Sequence, residues 1–387
     1  ARVEDLCRDG KLKFVCCTST LLQGVNLPAR HIIIENPKRG SDGMTRADFL
    51  NLAGRAGRLL REFHGNVWCL RPAEWEVKSF DGEQLTEIRS AMNEAMADGG
   101  VIVQKVLKNE VEGKELDYGE AALGKVYCDF VRGQRDLAES QWKTDANATD
   151  LAATATAINA LQVTLPTEVL DLNRSVRPDR MQALYDRLKK VVDPTMLVPL
   201  HPHAAGANDR MGTIIQIVQE TLGGVDNNSY TIYKWLAIQW IYDVPLNRII
   251  DDRLKYLQSK GSTQSLTAAI RELLKTLEEA IRFRLVKYFM AYNSVLDLVL
   301  RERGNIPLAD TLEPFHVYLE CGASDRIALN LIALGLSRAT ALALRDKVQF
   351  PDDASPEDCL AKLTASDLMA LSIPTLCLRE LKDLLGR

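Results

Sequence analysis

Over the first 80 residues, apolar positions come in short continuous runs. Phe14-Val15-Cys16-Cys17 is one such run and His31-Ile32-Ile33-Ile34 another. A continuous apolar run of this length predicts a strand buried on both faces, as in a parallel sheet. Residues 65–70 (Gly-Asn-Val-Trp-Cys-Leu) predict a further strand, ended by Arg71-Pro72. Residues 45–60 predict a helix, with Thr45 as N-cap and Asp48 three residues on. After Asp81-Gly82 the period changes to that of helices: residues 85–97, 121–137, 151–163, 180–192 and 211–222 all carry it. Residues 266–303 carry it for longer than one average helix. There Leu273, Leu277, Ile281 and Leu285 recur every four residues and predict a buried stripe. Residues 143–150 read as a polar linker, and residues 101–103 and 161–165 give only weak strand signals. The expected fold is α/β at the N-terminus, with parallel strands, followed by mostly α-helical accessory domains. The expected divisions are residues 1–80, 81–165, 166–305 and 306–387.

Composition adds bounds. A chain of 387 residues has room for two to four domains, and 46% hydrophobic with 26% charged residues is ordinary globular material. The net charge of −4 argues against a nucleic-acid binder over its whole surface. The charge is uneven: residues 1–80 hold 13 Lys and Arg against 9 Asp and Glu, residues 305–387 hold 8 against 12. No apolar run is long enough to span a membrane, and the N-terminal residues do not read as a signal peptide. The eight cysteines form no C-x-x-C pair. Cys16 and Cys17, inside a predicted strand, are expected to be buried free thiols, which with the missing signal places the chain in a reducing cytoplasm. Asn147-Ala148-Thr149 matches a glycosylation acceptor but reads as an ordinary loop without a secretory signal. His201-Pro202-His203 lacks further ligands nearby, so a surface loop is expected there and no metal.

The candidate chemistry sits in two blocks. Thr18, Ser19 and Thr20 follow the first predicted strand, at the carboxyl end where open α/β sheets bind ligands. Gly24 and Pro28 punctuate the loop after it. The second block is Asn51-Leu52-Ala53-Gly54-Arg55-Ala56-Gly57-Arg58. On a helix, Arg55 and Arg58 share a face, and Gly54 and Gly57 leave room beside them for a bulky anion. Two converging guanidiniums suit a triphosphate.

Together the blocks resemble motifs V and VI of superfamily 2 helicases, specifically the Ski-type and archaeal repair-helicase branch. Asn51 stands where that pattern has glutamine, one methylene longer. The resemblance implies a RecA-like lobe in residues 1–80, with ATP as substrate accompanied by Mg2+. It implies that Thr18, Ser19 and Thr20 lie along a nucleic-acid backbone, that Gly24, Asn26, Asn51, Gly54 and Gly57 line the nucleotide, and that Arg55 and Arg58 act on its phosphates. The family's phosphate loop and metal-binding carboxylates belong to a first lobe, which is expected to lie outside these 387 residues. Residues 119–126 fit G-x-x-x-x-G-K, but Val126 replaces the Mg2+-binding hydroxyl and a charged stretch precedes it, so the match reads as chance. The chain is expected to be the C-terminal part of an ATP-dependent helicase, inactive as an ATPase without the N-terminal lobe of the same polypeptide. The family commonly has a winged-helix domain after the second lobe, yet residues 81–165 show no hairpin for it.

Two later regions add binding candidates. Tyr233, Trp235, Trp240 and Tyr242 crowd one stretch, and Arg271, Lys275, Arg282, Arg284 and Lys287 follow along the long helical pattern. A fainter resemblance, to the family's helical ratchet domain, implies single-strand contact through Lys275 and Arg282, since cations with aromatics suit that task. An ordinary solvated face, balanced by Glu272, Glu278 and Glu279, explains the same pattern. Residues 332–341 resemble a helix-hairpin-helix with Ser337 in place of the second glycine. Its turn implies phosphate contact near Gly335 and Ser337, although this end is acidic. The other reading is a helical pair packed on the body. For the whole chain, the alternative to a helicase part is a noncatalytic binding or scaffolding module.

Overall fold

The computed structural model describes residues 6–7, 9–17, 29–39, 42–57, 64–81, 90–223, 230–368 and 370–386. The chain divides into two compact units, Ala1–Ser90 and Ala91–Arg387.

In the first unit, β1 (His31–Ile34) pairs in parallel with β4 (Asn66–Cys69), with Ile33 opposite Trp68. A small antiparallel pair, β2 (Lys38–Arg39) and β3 (Asp42–Gly43), lies between them in sequence. Helix α1 (Arg46–Ala53) starts at Thr45, whose hydroxyl accepts the Asp48 amide at 3.2 Å, as the sequence predicts. Ile34, Phe49 and Trp75 form the core, flanked by Ile32, Leu52, Val67 and Cys69. Trp75 is fixed by its indole N–H, which donates to the carbonyls of Glu35 at 2.7 Å and Leu70 at 3.0 Å. Strand alternation then sends Ile33 and Trp68 to the opposite sheet face, where they are 67% and 58% exposed.

Two expectations for this unit are corrected. Residues 12–17 form no strand, Phe14 is 92% exposed, and Cys16 and Cys17 are exposed rather than buried. An apolar run is buried in a sheet only when a ladder partner receives it, and among the described residues this run has none. The predicted helix over residues 45–60 ends at Ala53, with Gly54 as its C-cap. Gly57 takes φ +68, a left-handed conformation that ends a helix and favours glycine.

The second unit is helical: α2 (Ala91–Met96), α3 (Val101–Leu107), α4 (Gly113–Val126), α5 (Ala148–Asn159), α6 (Thr167–Leu172), α7 (Pro178–Lys189), α8 (Ala207–Thr221), α9 (Tyr230–Ile241), α10 (Leu246–Ser259), α11 (Leu266–Thr276), α12 (Val286–Glu302), α13 (Ile306–Ala309), α14 (Phe315–Cys321), α15 (Arg326–Ala333), α16 (Arg338–Arg345), α17 (Pro356–Ala365) and α18 (Thr375–Leu385). Residues 101–103, a weak strand signal, are thus helical. Between α11 and α12 the chain continues as a π-helical segment, Leu277–Leu285, so the long pattern is one interrupted rod. Leu273, Leu277, Ile281 and Leu285 are all buried, as their spacing predicts. One apolar core runs from Ala95 to Leu319 without a break at residue 165, and a second gathers residues of α15 to α18. Asn147 is buried, its amide donating to the carbonyls of Ala97 at 3.1 Å and Trp142 at 2.9 Å.

The phosphate-loop look-alike at residues 119–126 lies inside α4. A Cβ at Gly124 would overlap the Arg174 carbonyl and one at Gly119 would meet Val106, so both glycines serve helix packing. Lys125 pairs with Asp129 at 2.7 Å, one turn on. Among the described residues, no helix is long and apolar enough to cross a membrane.

Candidate nucleotide and nucleic-acid sites

Ala29, the residue after Pro28 of the first block, meets the second block in the first unit. Ala29 and Ala56 form a parallel bridge: the Ala29 amide donates to Arg55 O at 3.3 Å, and the Gly57 amide to Ala29 O at 3.0 Å. The end of the first block therefore lies beside the second. A Cβ on Gly57 would overlap the Gly65 backbone, and one on Gly65 the Ala56 backbone. Glycine at 57 is required by this backbone crossing and by its φ. Asn51 is exposed on α1, Gly54 is exposed at its C-cap, and Arg55 follows half-buried in the turn. Arg55 is thus presented from the turn after a helix C-terminus and not from a helical face. Arg58 lies outside the described residues, as do Thr18, Ser19, Thr20, Gly24 and Asn26. A guanidinium such as that of Arg55 can grip phosphate oxygens bidentately; at Gly54 an added Cβ would meet the Leu50 carbonyl at 3.1 Å. Among the described residues, no group of three His, Cys, Asp or Glu is placed to hold a metal ion.

On the long rod, the five candidate cations separate into two sets. Arg284 approaches Asp117 at 3.2 Å, and Lys287 bridges Asp117 at 3.1 Å and Glu120 at 2.7 Å. Glu120 is 1% exposed and also accepts the Tyr288 hydroxyl at 3.0 Å. This network ties α4 to the start of α12, so Arg284 and Lys287 are structural ions, not strand contacts. Arg271, Lys275 and Arg282 stay exposed. Lys275 stands 4.0 Å from Glu279; Arg282 pairs with Glu278 at 2.8 Å and donates to Glu320 O at 3.1 Å. Exposed Phe283 adjoins Arg282 on the π-helical segment, an aromatic the sequence reading passed over because it interrupts the apolar period. Trp240 is not a free stacking platform. It is buried, its N–H donates to Leu319 O at 2.9 Å, and the Arg338 guanidinium lies 4.0 Å from its ring.

The C-terminal turn has the expected outline. Gly335, at φ +96, separates α15 from α16, and Ser337 caps α16. The donors expected to meet a phosphate are already engaged. Glu380 of α18 accepts the Ser337 amide, the Ser337 hydroxyl at 2.7 Å, and the Thr340 hydroxyl. Desolvation pushes the Glu380 carboxyl up, but the hydrogen bonds from Thr340 and Ser337 together outweigh it and hold its pKa below the ordinary value. Sequence reasoning missed Glu380 because it lies 43 positions from Ser337 in an unremarkable amphipathic helix. Arg338 turns inward as well. Its guanidinium donates to the carbonyls of Gly322, Trp240 (3.1 Å) and Val244 (2.8 Å), and desolvation lowers its pKa to about 10, so it stays charged at neutral pH. Arg345 pairs with buried Asp243 at 2.6 Å. The second of the two readings, a helical pair packed on the body, describes these contacts.

No family model matches the chain. Several curated proteins are similar to parts of it. It is 45% identical over 176 residues to a helicase POLQ-like protein of Drosophila melanogaster, covering 38% of this chain and 16% of that protein. It is 48% identical over 78 residues to a helicase POLQ-like protein of Caenorhabditis elegans, covering 20% and 8%. It is 34% identical over 140 residues to the ATP-dependent DNA helicase Hel308 of Methanocella arvoryzae, covering 35% and 17%. The homologues are thus superfamily 2 DNA helicases, and this chain spans less than a fifth of their length.

Proposed function

We propose that this chain is the C-terminal part of an ATP-dependent DNA helicase, in which residues 1–80 complete a second RecA-like lobe and the helical unit guides one strand. The observation that carries the reading is the backbone pairing of Ala29 with Ala56, which brings the residue that follows Pro28 beside Arg55. A nucleotide site linked to a strand site through one shared backbone pair is what coupling hydrolysis to translocation needs. The similarity to named DNA helicases supports it independently.

In this reading Arg55 and Arg58 stabilise charge on the transferring phosphoryl group. Gly24, Asn26, Asn51, Gly54 and Gly57 line the nucleotide, and Thr18, Ser19 and Thr20 follow the DNA backbone. Mg2+ and the phosphate loop belong to a first lobe supplied by the complete polypeptide. Lys275 and Arg282, with Phe283, supply contacts along the rod. The acid-filled turn at Ser337 favours a structural role for the C-terminal helices over phosphate binding by Gly335 and Ser337.

The test compares this chain with the complete polypeptide. The complete polypeptide is expected to hydrolyse ATP faster with single-stranded DNA and to displace a paired strand, and this chain alone to hydrolyse none. ATP turnover by this chain alone, or a complete polypeptide without DNA-stimulated turnover, contradicts the reading.

A further inference from the structure

Helices α10 and α11 form a hairpin with an excess of cations over carboxylates. Residues 246–276 carry six Lys and Arg against three Asp and Glu, in a chain whose net charge is −4. Elsewhere Arg177, Arg284, Lys287, Arg301 and Arg345 hold carboxylates at 2.6–3.2 Å. On the hairpin, Arg248, Arg253, Lys260 and Arg271 pair with no carboxylate among the described residues, and the pairs of Lys255 and Lys275 are stretched to 4.0 Å. Among the described residues, positive charge here is left largely unneutralised.

An aromatic ring accompanies that charge. Arg253, Tyr256 and Lys260 fall at i, i+3 and i+7, on one helical face. At the start of α10 this face is buried through Ile249; at its end Tyr256 is 52% exposed. The Arg253 guanidinium lies 5.5 Å from the Tyr256 ring centre and the Lys260 ammonium 5.8 Å. The loop beyond, residues 260–265, is exposed throughout.

We propose that this face of α10 is a second single-strand contact, with Tyr256 stacking on a base and Arg253 and Lys260 holding the flanking phosphates. It rests on the DNA-helicase reading and adds a contact apart from Lys275 and Arg282 on the rod. Unpaired cations beside an exposed ring fit a strand of stacked bases and phosphates better than an acidic peptide, which offers charge but no π-face.

The experiment uses the whole chain and a thymidine oligonucleotide carrying 5-iododeoxyuridine. Ultraviolet irradiation is expected to give adducts on the peptide containing Tyr256. Arg253→Glu with Lys260→Glu is expected to weaken binding about tenfold at low salt and to flatten the log–log salt dependence by about 1.4, two phosphates at ~0.7 each. Tyr256→Phe should keep the affinity and Tyr256→Leu lose about tenfold, as ring stacking requires. Adducts confined to other segments, with affinity unchanged in these variants, overturn the inference and leave the helicase reading standing. Binding of a glutamate-rich peptide at this face, with no oligonucleotide bound, also overturns it. The helicase reading itself fails separately, through absent DNA-stimulated ATP turnover in the complete polypeptide.

Discussion

Glu380 changes what the C-terminal turn can do. A helix N-terminus with a capping serine attracts anions, and here the anion is the chain's own carboxylate. The sign of its pH dependence follows from its depressed pKa. Its stabilising contribution is fully present above the ordinary carboxylate range and is lost as pH falls through the folded-state value. Glu380→Gln keeps the shape and removes the charge. It should lower the unfolding free energy at pH 7 by about 1 kcal/mol, with little further loss on acidification. Chemical denaturation at pH 7 and pH 4 measures this; equal acid sensitivity in variant and parent would contradict the account. Gly57 carries a related lesson. The sequence marks it as out of place in a helix, but only its φ and its crossing of Gly65 show why.

At the scale of elements, the rod from α11 to α12 was legible in its buried stripe and misread in its charges. Leu273, Leu277, Ile281 and Leu285 obey a period, and a period can be read locally. Arg284 and Lys287 lie on the same rod as Arg282, yet their partners Asp117 and Glu120 come from α4, far away in sequence. Nothing local separates a cation facing solvent from one facing another helix. The difference has an energetic consequence. Removing Lys287 leaves Glu120 buried without its ionic partner, which typically costs about 3–5 kcal/mol. Lys287→Met should therefore unfold at markedly lower urea concentration. Adding Glu120→Gln should recover much of the loss, since the uncompensated charge is then gone. A single variant as stable as the parent would show that the network is solvent-screened. Residues 12–17 fail for the opposite reason: their apolar pattern is that of a strand, but among the described residues they meet no ladder partner.

For the whole molecule, the change from short apolar runs to helical periodicity near residue 82 was readable, and the two compact units part at Ser90. Strands β1 and β4 and the N-cap at Thr45 were readable too, because each is fixed by neighbours in sequence. The meeting of Ala29 with Ala56 was not, because it depends on how the chain returns after α1. That meeting gives the helicase reading its structural support, and Arg58 is where the reading is most exposed to test. The decisive measurement is ATP turnover by the complete polypeptide carrying Arg58→Ala, with single-stranded DNA in excess. A guanidinium that acts mainly in the transition state lowers kcat when removed and leaves KM nearly unchanged. The account predicts a fall in kcat of about 10³ to 10⁵, poor rescue by Arg58→Lys, and unchanged DNA binding without nucleotide. A normal kcat in Arg58→Ala would contradict it.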